Sequence, residues 1–481
     1  MTQSAERDGS TAYDVIVLGA GPVGENLADR ARAAGLSTAV VENELVGGEC
    51  SYWACMPSKA LLRPVIAAAD AKRVPGLRQA LTGTFDSAAV LAHRDAYTSH
   101  WKDDGQVKWL DGTGARLYRG RGRLDGTRRV TVVAPDGGRH DLTARHAVAV
   151  CTGSRAMLPP LPGIEDARPW TSREATSADR VPPRLLVVGG GVVGVEMATA
   201  WQALGSEVTM LVRGERLLPR VEPFAGQLVA DELRRAGAQV RTGVSVTSVQ
   251  RQDGLVTVGL DTGESAQAEE VLFATGRAPR TDDIGLETLG LEPGSWLDVD
   301  DTCRVHGFEW LYAVGDVNHR ALLTHQGKYQ ARVAGAALAA RARGIPLLET
   351  DRWGAHAATA DHEAVPQVVF TDPEVAAVGL SLAEAEAAGH RVRAVDVDLT
   401  SVAGAGLFLD GYRGRARMVV DLDREVLLGA TFAGPGVAEL LHAATIAVTG
   451  EVPLERLWHA VPSYPTISEV WLRLLEKYRD E

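Results

Sequence analysis

The chain alternates between short unbroken apolar runs and longer stretches with helical spacing. In YDVIVLGAGPVGENLADRARAAG, Val15 to Leu18 form an apolar run followed by three spaced glycines. The run predicts a buried parallel strand, and Pro22 to Ala34, closed by Gly35, predicts a helix. The same pattern returns in RLLVVGGGVVGVEMATAWQALGSEVTMLV. A third apolar run, WLYAV, ends in Gly315-Asp316 and precedes a long Ala-rich helix. Strands alternating with helices in this way predict an α/β fold built on parallel sheets.

Composition narrows the function classes. At 481 residues the chain exceeds one compact core and predicts about three domains. It is 45% hydrophobic and 23% charged, with no apolar run near the ~20 residues of a membrane span. The polar start MTQSAERDGSTAYD carries no apolar signal region. A formal charge of −12 disfavours nucleic acid and anionic membranes as partners. Four cysteines make no disulfide framework, so a reducing cytoplasm is expected, where a paired thiol site is catalytic or metal-binding.

The glycine spacing carries chemistry. Gly19, Gly21 and Gly24 follow G-x-G-x-x-G: a tight turn, close backbone approach to a pyrophosphate, and close helix–strand packing. The next strand, STAVVE, ends in Glu42, where an acid accepts from a ribose hydroxyl. Gly189, Gly191 and Gly194 repeat the motif. Their second strand ends in Val212 without an acid, and Arg213, Arg216 and Arg220 follow. Arginines there suit a 2′-phosphate, favouring NADPH with NADH as the alternative; a solvated basic loop is the other reading.

In GGECSYWACMPSKALL, Cys50 and Cys55 lie five residues apart, a spacing that fits neither a zinc site nor Cys-x-x-Cys. In an ideal helix their Cα atoms would be about 8.6 Å apart, beyond the ~7 Å limit for a disulfide. A bridge therefore requires a distorted turn entering a helix, which Gly47-Gly48 permits. Cys151 and Cys303 match no motif and are read as small buried residues.

With these motifs in order, the chain resembles the FAD-dependent pyridine nucleotide–disulfide oxidoreductases. The resemblance covers nearly its whole length. It implies an α/β fold with two Rossmann-like dinucleotide-binding domains, for FAD and NAD(P), and a C-terminal α+β dimerisation domain. The implied layout is FAD-binding sequence over 1–165, an NAD(P) domain over 166–280, a return to the flavin region over 281–350, and dimerisation over 351–481. For FAD the resemblance assigns Gly19, Gly21, Gly24, Glu42, Gly48, Lys59, Thr152, Gly153, Gly315 and Asp316. For NADPH it assigns Gly189, Gly191, Gly194, Arg213, Arg216 and Gly276. Cys50 is implied as the interchange thiol and Cys55 as the thiol beside the flavin, with Lys59 and Glu196 as an ion pair next to the ring.

The resemblance breaks near the C-terminus. Family members working on thiols carry His-Pro-Thr and a following Glu, the His supplied across a homodimer. Here HAVPSYPTISE keeps Pro465, Thr466 and Glu469 but places Tyr464 at the histidine position. An imidazole titrates near 6.5 and a phenol near 10, so the substitution weakens proton transfer at neutral pH. His459 lies close by but out of register. Mercuric reductase shares a tyrosine in this region, yet this chain ends EKYRDE without that enzyme's cysteine pair. Tyr52 and Trp53 are read as packing residues, or as an aromatic wall for a flat acceptor.

The leading expectation is an enzyme passing electrons from NADPH through FAD to a Cys50–Cys55 disulfide and on to an unidentified disulfide or other two-electron acceptor. The alternative acceptors are a quinone or a metal ion. A flavin-bound redox sensor or scaffold is the third reading.

Overall fold

The apolar run at Val15–Leu18 lies in strand Ala12–Leu18, which enters helix Pro22–Ala33 through the glycine turn. This is seen in a computed structural model that describes residues 11–480. The chain divides into two units. One takes the chain up to Tyr52, with Ser99–Arg155 and Arg277–His362; the other takes Trp53–Thr98, Ala156–Gly276 and the chain from Glu363 onward.

In the first unit, Arg116–Arg119, Thr38–Glu42, Ala12–Leu18 and Arg139–Val150 form consecutive parallel strands, with Leu311–Ala313 also parallel to Arg139–Val150. The hairpin of Arg121–Leu124 and Arg129–Val133 extends the sheet antiparallel. All five residues of Thr38–Glu42 are buried, as a strand covered on both faces requires. Cys151 and Cys303 lie in the apolar layer between this sheet and helices Pro22–Ala33 and Thr324–Ala342. The two helices approach closely because Gly327 and Gly335 lack side chains. A Cβ there would lie 2.4 Å from Val23 and 2.7 Å from Arg30.

In the second unit, strands Gln239–Thr242, Glu207–Val212, Arg184–Val188 and Glu270–Phe273 form a parallel sheet. A three-stranded antiparallel sheet of Val246–Gln252, Leu255–Leu260 and Ser265–Ala268 accompanies it. Helix Cys55–Lys72 shares a core with helix Val192–Leu204, through Leu61 and Leu62 against Val195, Met197 and Trp201. The C-terminal part is a five-stranded antiparallel sheet whose central strand, Val426–Gly434, is buried throughout. Helix Leu441–Thr449 packs against it. This is the architecture read from the sequence: two Rossmann-type domains and a C-terminal α+β domain. Among the described residues no helix is long and apolar enough to cross a membrane.

One buried group departs from the apolar pattern. Glu25, in the first turn of Pro22–Ala33, is 7% exposed and its Oε1 has no hydrogen-bond partner. Burial pushes its carboxyl from 4.5 up to about 8; Lys328 opposes this and Glu42 adds to it. Below about pH 4.5 the group is neutral whether the chain is folded or not. As pH rises through 4.5 the unfolded chain releases the proton and the native one keeps it, so native stability falls until about pH 8. Glu25→Gln should therefore gain on the parent across pH 5 to 8, by on the order of 1–3 kcal/mol. Urea midpoints measured against pH check this; parallel curves for the two proteins would contradict it.

Candidate functional site

The first glycine turn is braced by a carboxylate. Glu42, buried at the end of its strand, accepts from the Ala20 N–H at 2.7 Å through Oε2 and from the Glu44 N–H at 2.7 Å through Oε1. Burial raises its pKa, against the pull of these N–H donors. The helix N-terminus at Gly21 has no side-chain cap, which leaves its first-turn N–H groups without a side-chain acceptor. Gly24 permits the turn: a Cβ there would lie 1.9 Å from the Gly19 carbonyl oxygen. Gly48, at φ +57°, rests on the same turn, where a Cβ would meet the Gly21 Cα at 2.9 Å.

Thr152, Gly153, Gly315 and Asp316 lie in the same unit as that turn. Thr152 Oγ1 is buried without a hydrogen-bond partner. Ser154 Oγ donates to Asp316 Oδ2 at 2.5 Å and accepts from Arg277 Nε at 2.5 Å. Arg277 and Arg280 both donate to the Ser154 carbonyl, at 2.9 and 3.1 Å. The second nitrogen of the Arg280 fork reaches Glu49 Oε1 at 2.6 Å. Burial raises the Asp316 pKa, while Ser154 and Arg277 oppose it. The Gly315 N–H is fixed by Gln330 Oε1 at 2.7 Å. The sequence reading missed Ser154, Arg277, Arg280 and Glu49.

The cysteine segment is two helices. Gly48–Tyr52 carries Cys50, and Cys55 opens Cys55–Lys72. Between them Ala54 takes φ −130° and ψ −98°, so the five-residue separation does not run along one helix. Tyr52 is buried in the first unit, its hydroxyl 3.4 Å from the Lys102 carbonyl and its own carbonyl accepting from Trp101 Nε1 at 3.0 Å. Burial first, then Asp103 and Glu25, push its phenol up to about 12. In the second unit the Arg173 guanidinium lies 4.0 Å over the Trp53 ring, and the Trp53 carbonyl accepts from Thr176 Oγ1 at 2.9 Å. Tyr52 is thus buried as a packing residue, whereas Trp53 is half-buried.

Lys59, one turn after Cys55, and Glu196 meet within the second unit, Nζ to Oε2, at 2.8 Å. Glu196 is 3% exposed, and its Oε1 accepts from the Phe370 N–H at 3.0 Å. Lys59 Nζ also lies 4.9 Å over the Phe370 ring. Phe370 is a further residue the sequence reading missed.

The second glycine turn repeats the first. Helix Val192–Leu204 begins at Gly191 without a side-chain cap, and a Cβ at Gly194 would lie 2.2 Å from the Gly189 carbonyl oxygen. Of the arginines after Val212, Arg216 closes its own loop by donating to the carbonyls of Pro219 at 2.8 Å and Val221 at 3.3 Å. Arg213 and Arg220 are exposed, with no ion-pair partner among the described residues. Gly276, at φ +144°, lies in the same unit.

Tyr464 is 76% exposed and Glu469 is buried, its Oε2 without a hydrogen-bond partner and its Oε1 3.9 Å from Arg473. Among the described residues no hydrogen bond joins Tyr464 to Glu469, so within one chain the expected orienting contact is missing. His459 lies exposed in the turn after helix Leu454–Leu457, not on the helix.

Comparison with known proteins extends the geometry. Residues 13–340 match the pyridine nucleotide-disulphide oxidoreductase family, and residues 365–474 match that family's dimerisation domain. The chain is 32% identical to dihydrolipoyl dehydrogenase 2 of Haloarcula marismortui, covering 96% of each. It is 31% identical to dihydrolipoyl dehydrogenase 3 of Pseudomonas aeruginosa, covering 95% of this chain and 96% of that one. Two solved structures share its fold. The HOCl-induced flavoprotein disulfide reductase RclA of Escherichia coli has a TM-score of 0.81 at 21% identity, covering 96% of this chain and 99% of that one. LpdA of Mycobacterium tuberculosis has a TM-score of 0.81 at 24% identity, covering 98% and 100%. With full-length family matches and two dinucleotide-type turns, the chain belongs to the pyridine nucleotide–disulphide oxidoreductase family and is an oxidoreductase that uses FAD and NAD(P)H.

Proposed function

We propose that this enzyme reduces a small-molecule disulfide, or another two-electron acceptor, with NADPH, through a redox-active pair formed by Cys50 and Cys55. The observation that carries the reading is the Lys59–Glu196 pair at 2.8 Å, one turn beyond Cys55 and the helix break. A buried acid held by a lysine and by the Phe370 N–H is an arrangement an inert scaffold would not require.

FAD would be held by Gly19, Gly21, Gly24, Glu42, Gly48, Thr152, Gly153, Gly315 and Asp316, with Lys59 beside the ring. The uncapped turn at Gly21 and the orphaned hydroxyl of Thr152 fit such a group. When bound, FAD supplies a two-electron carrier between the nicotinamide and sulfur. NADPH would be held by Gly189, Gly191, Gly194 and Gly276, with Arg213 and Arg220 for its 2′-phosphate; Arg216 shapes their loop. The domain boundaries at 165, 280 and 350 belong to the same proposal.

Once reduced, Cys50 attacks the acceptor disulfide as a thiolate, releasing one thiol and forming a mixed disulfide. Cys55 attacks Cys50 in that mixed disulfide, releasing the second thiol and restoring the Cys50–Cys55 bond. The balance is NADPH, one proton and one acceptor disulfide giving NADP⁺ and two thiols. Relatives are named for dihydrolipoyl, a substrate whose thiol proton needs a base. Tyr464 in that place argues for an acceptor other than dihydrolipoamide. A homodimer formed through 365–474 fits the reading, since Ile446, Val461 and Tyr464 are 57, 85 and 76% exposed. So does a reducing cytoplasm.

Anaerobic NADPH titration should show two reducing equivalents taken up before the flavin bleaches, with a long-wavelength band. Those two equivalents are one NADPH, so bleaching of the flavin by the first NADPH would reject the cysteine route. Cys50→Ser/Cys55→Ser should abolish disulfide reduction; undiminished turnover of a disulfide would reject the assignment. Arg213→Ala/Arg220→Ala should raise KM for NADPH about tenfold or more, with little change for NADH, from loss of charge-assisted hydrogen bonds. Steady-state kinetics with both nucleotides checks this.

A further inference from the structure

Five polar residues in the first unit form one connected network that ends at the residue before Cys50. Asp316 accepts from Ser154, and Ser154 accepts from Arg277. The Ser154 carbonyl accepts from Arg280, whose own N–H donates to the Gly153 carbonyl at 3.0 Å. Arg280 then pairs with Glu49 at 2.6 Å, and Glu49 directly precedes Cys50. Exposed ion pairs between two flexible side chains commonly contribute little. This pair differs because Arg280 is fixed at its backbone and at its Nε, and its side chain and that of Glu49 are 35% and 21% exposed. A planar guanidinium holding a carbonyl on one nitrogen and a carboxylate on another fixes direction as well as distance.

We propose that Glu49 and Arg280 are a positioning pair for Cys50, tying the helical turn that bears the thiol to the Ser154–Asp316 loop and compensating the charge of the carboxylate that precedes Cys50 in the chain. The proposal rests on the reading of Cys50 as the attacking thiol. A carboxylate adjacent in the chain to a cysteine disfavours the thiolate, which is the nucleophile. Arg280 compensates that carboxylate, with Arg277 set against Asp316 behind it, at 3.9 Å. The pair joins residues 231 positions apart, so it closes the redox segment onto the second linker of the same unit.

The test is alkylation of Cys50 by iodoacetamide at pH 7 in the NADPH-reduced holoenzyme, followed by peptide mass spectrometry, with bound-flavin absorbance reporting an intact site. Arg280→Gln removes the charge compensation that Arg280 gives Glu49 and should slow alkylation roughly three- to tenfold. Glu49→Gln should speed it, the double variant should return close to the parent rate, and Arg280→Lys should recover part of the loss. A merely structural clamp predicts that both single variants move the rate the same way, and that outcome overturns the proposal, as does an unchanged rate in Arg280→Gln. If Arg280→Gln does not retain flavin, Glu49→Gln decides alone: faster supports the pair, slower or equal overturns it. Should parental Cys50 gain no reactivity on NADPH reduction, the redox reading itself fails and this proposal with it, before any variant is compared.

Discussion

Each dinucleotide-type turn depends on a backbone contact that tolerates no side chain. At Gly24 a Cβ would lie 1.9 Å from the Gly19 carbonyl oxygen, and at Gly194 2.2 Å from that of Gly189. Such contacts bring strand and helix close together, and both helices begin without a side-chain cap. Outward N–H groups at a helix N-terminus favour negative charge. What differs between the turns is electrostatic: the first is closed by Glu42 and the second is followed by arginines. One backbone solution thus occurs twice in the chain, and the residues at the end of the second strand differ between the two copies.

Local patterns in the sequence carried the fold a long way. The Val15–Leu18 run, the two glycine triplets and the Ala-rich stretch after Asp316 became strands and helices because burial periodicity and turn chemistry act over a few residues. The helix break between Cys50 and Cys55 was also legible, since five residues along an ideal helix separate Cα atoms too widely for a bridge. Long-range pairing was not legible. Nothing near Glu49 points to Arg280, and nothing near Glu196 points to the Phe370 N–H. Nor does the charge of Arg216 announce that its guanidinium donates to two carbonyls of its own turn. Trp53 and Tyr52 could not be placed from the sequence because covering by Arg173 or by the Lys102 region depends on tertiary structure.

The buried acids Glu25, Glu42, Glu196 and Asp316 show how environment sorts one chemical group into different roles. Glu196 has a lysine and an N–H, and Asp316 has a hydroxyl backed by an arginine. Glu42 has backbone donors alone, and Glu25 has an oxygen with no partner at all. Burial costs an ionised carboxylate most where donors are fewest. Glu25 is accordingly the one lifted to about 8, and at neutral pH it sits beside the first turn largely without charge.

On the proposed reading, protons constrain the acceptor as firmly as electrons do. Reduction of a disulfide releases two thiols, and the first leaves as a thiolate unless an acid stands ready to protonate it. An imidazole serves that purpose near neutral pH, whereas a phenol holds its proton until about pH 10. Tyr464 is exposed and, among the described residues, has no hydrogen bond to Glu469 within the chain. Leaving groups differ in this respect: a thiol of low pKa departs readily as the anion, and one of high pKa does not. On that reading an acceptor of low thiol pKa would be favoured over one of high thiol pKa. In such an enzyme the charge beside Cys50 matters more than usual, because the attacking sulfur must be a thiolate without help from a neighbouring base.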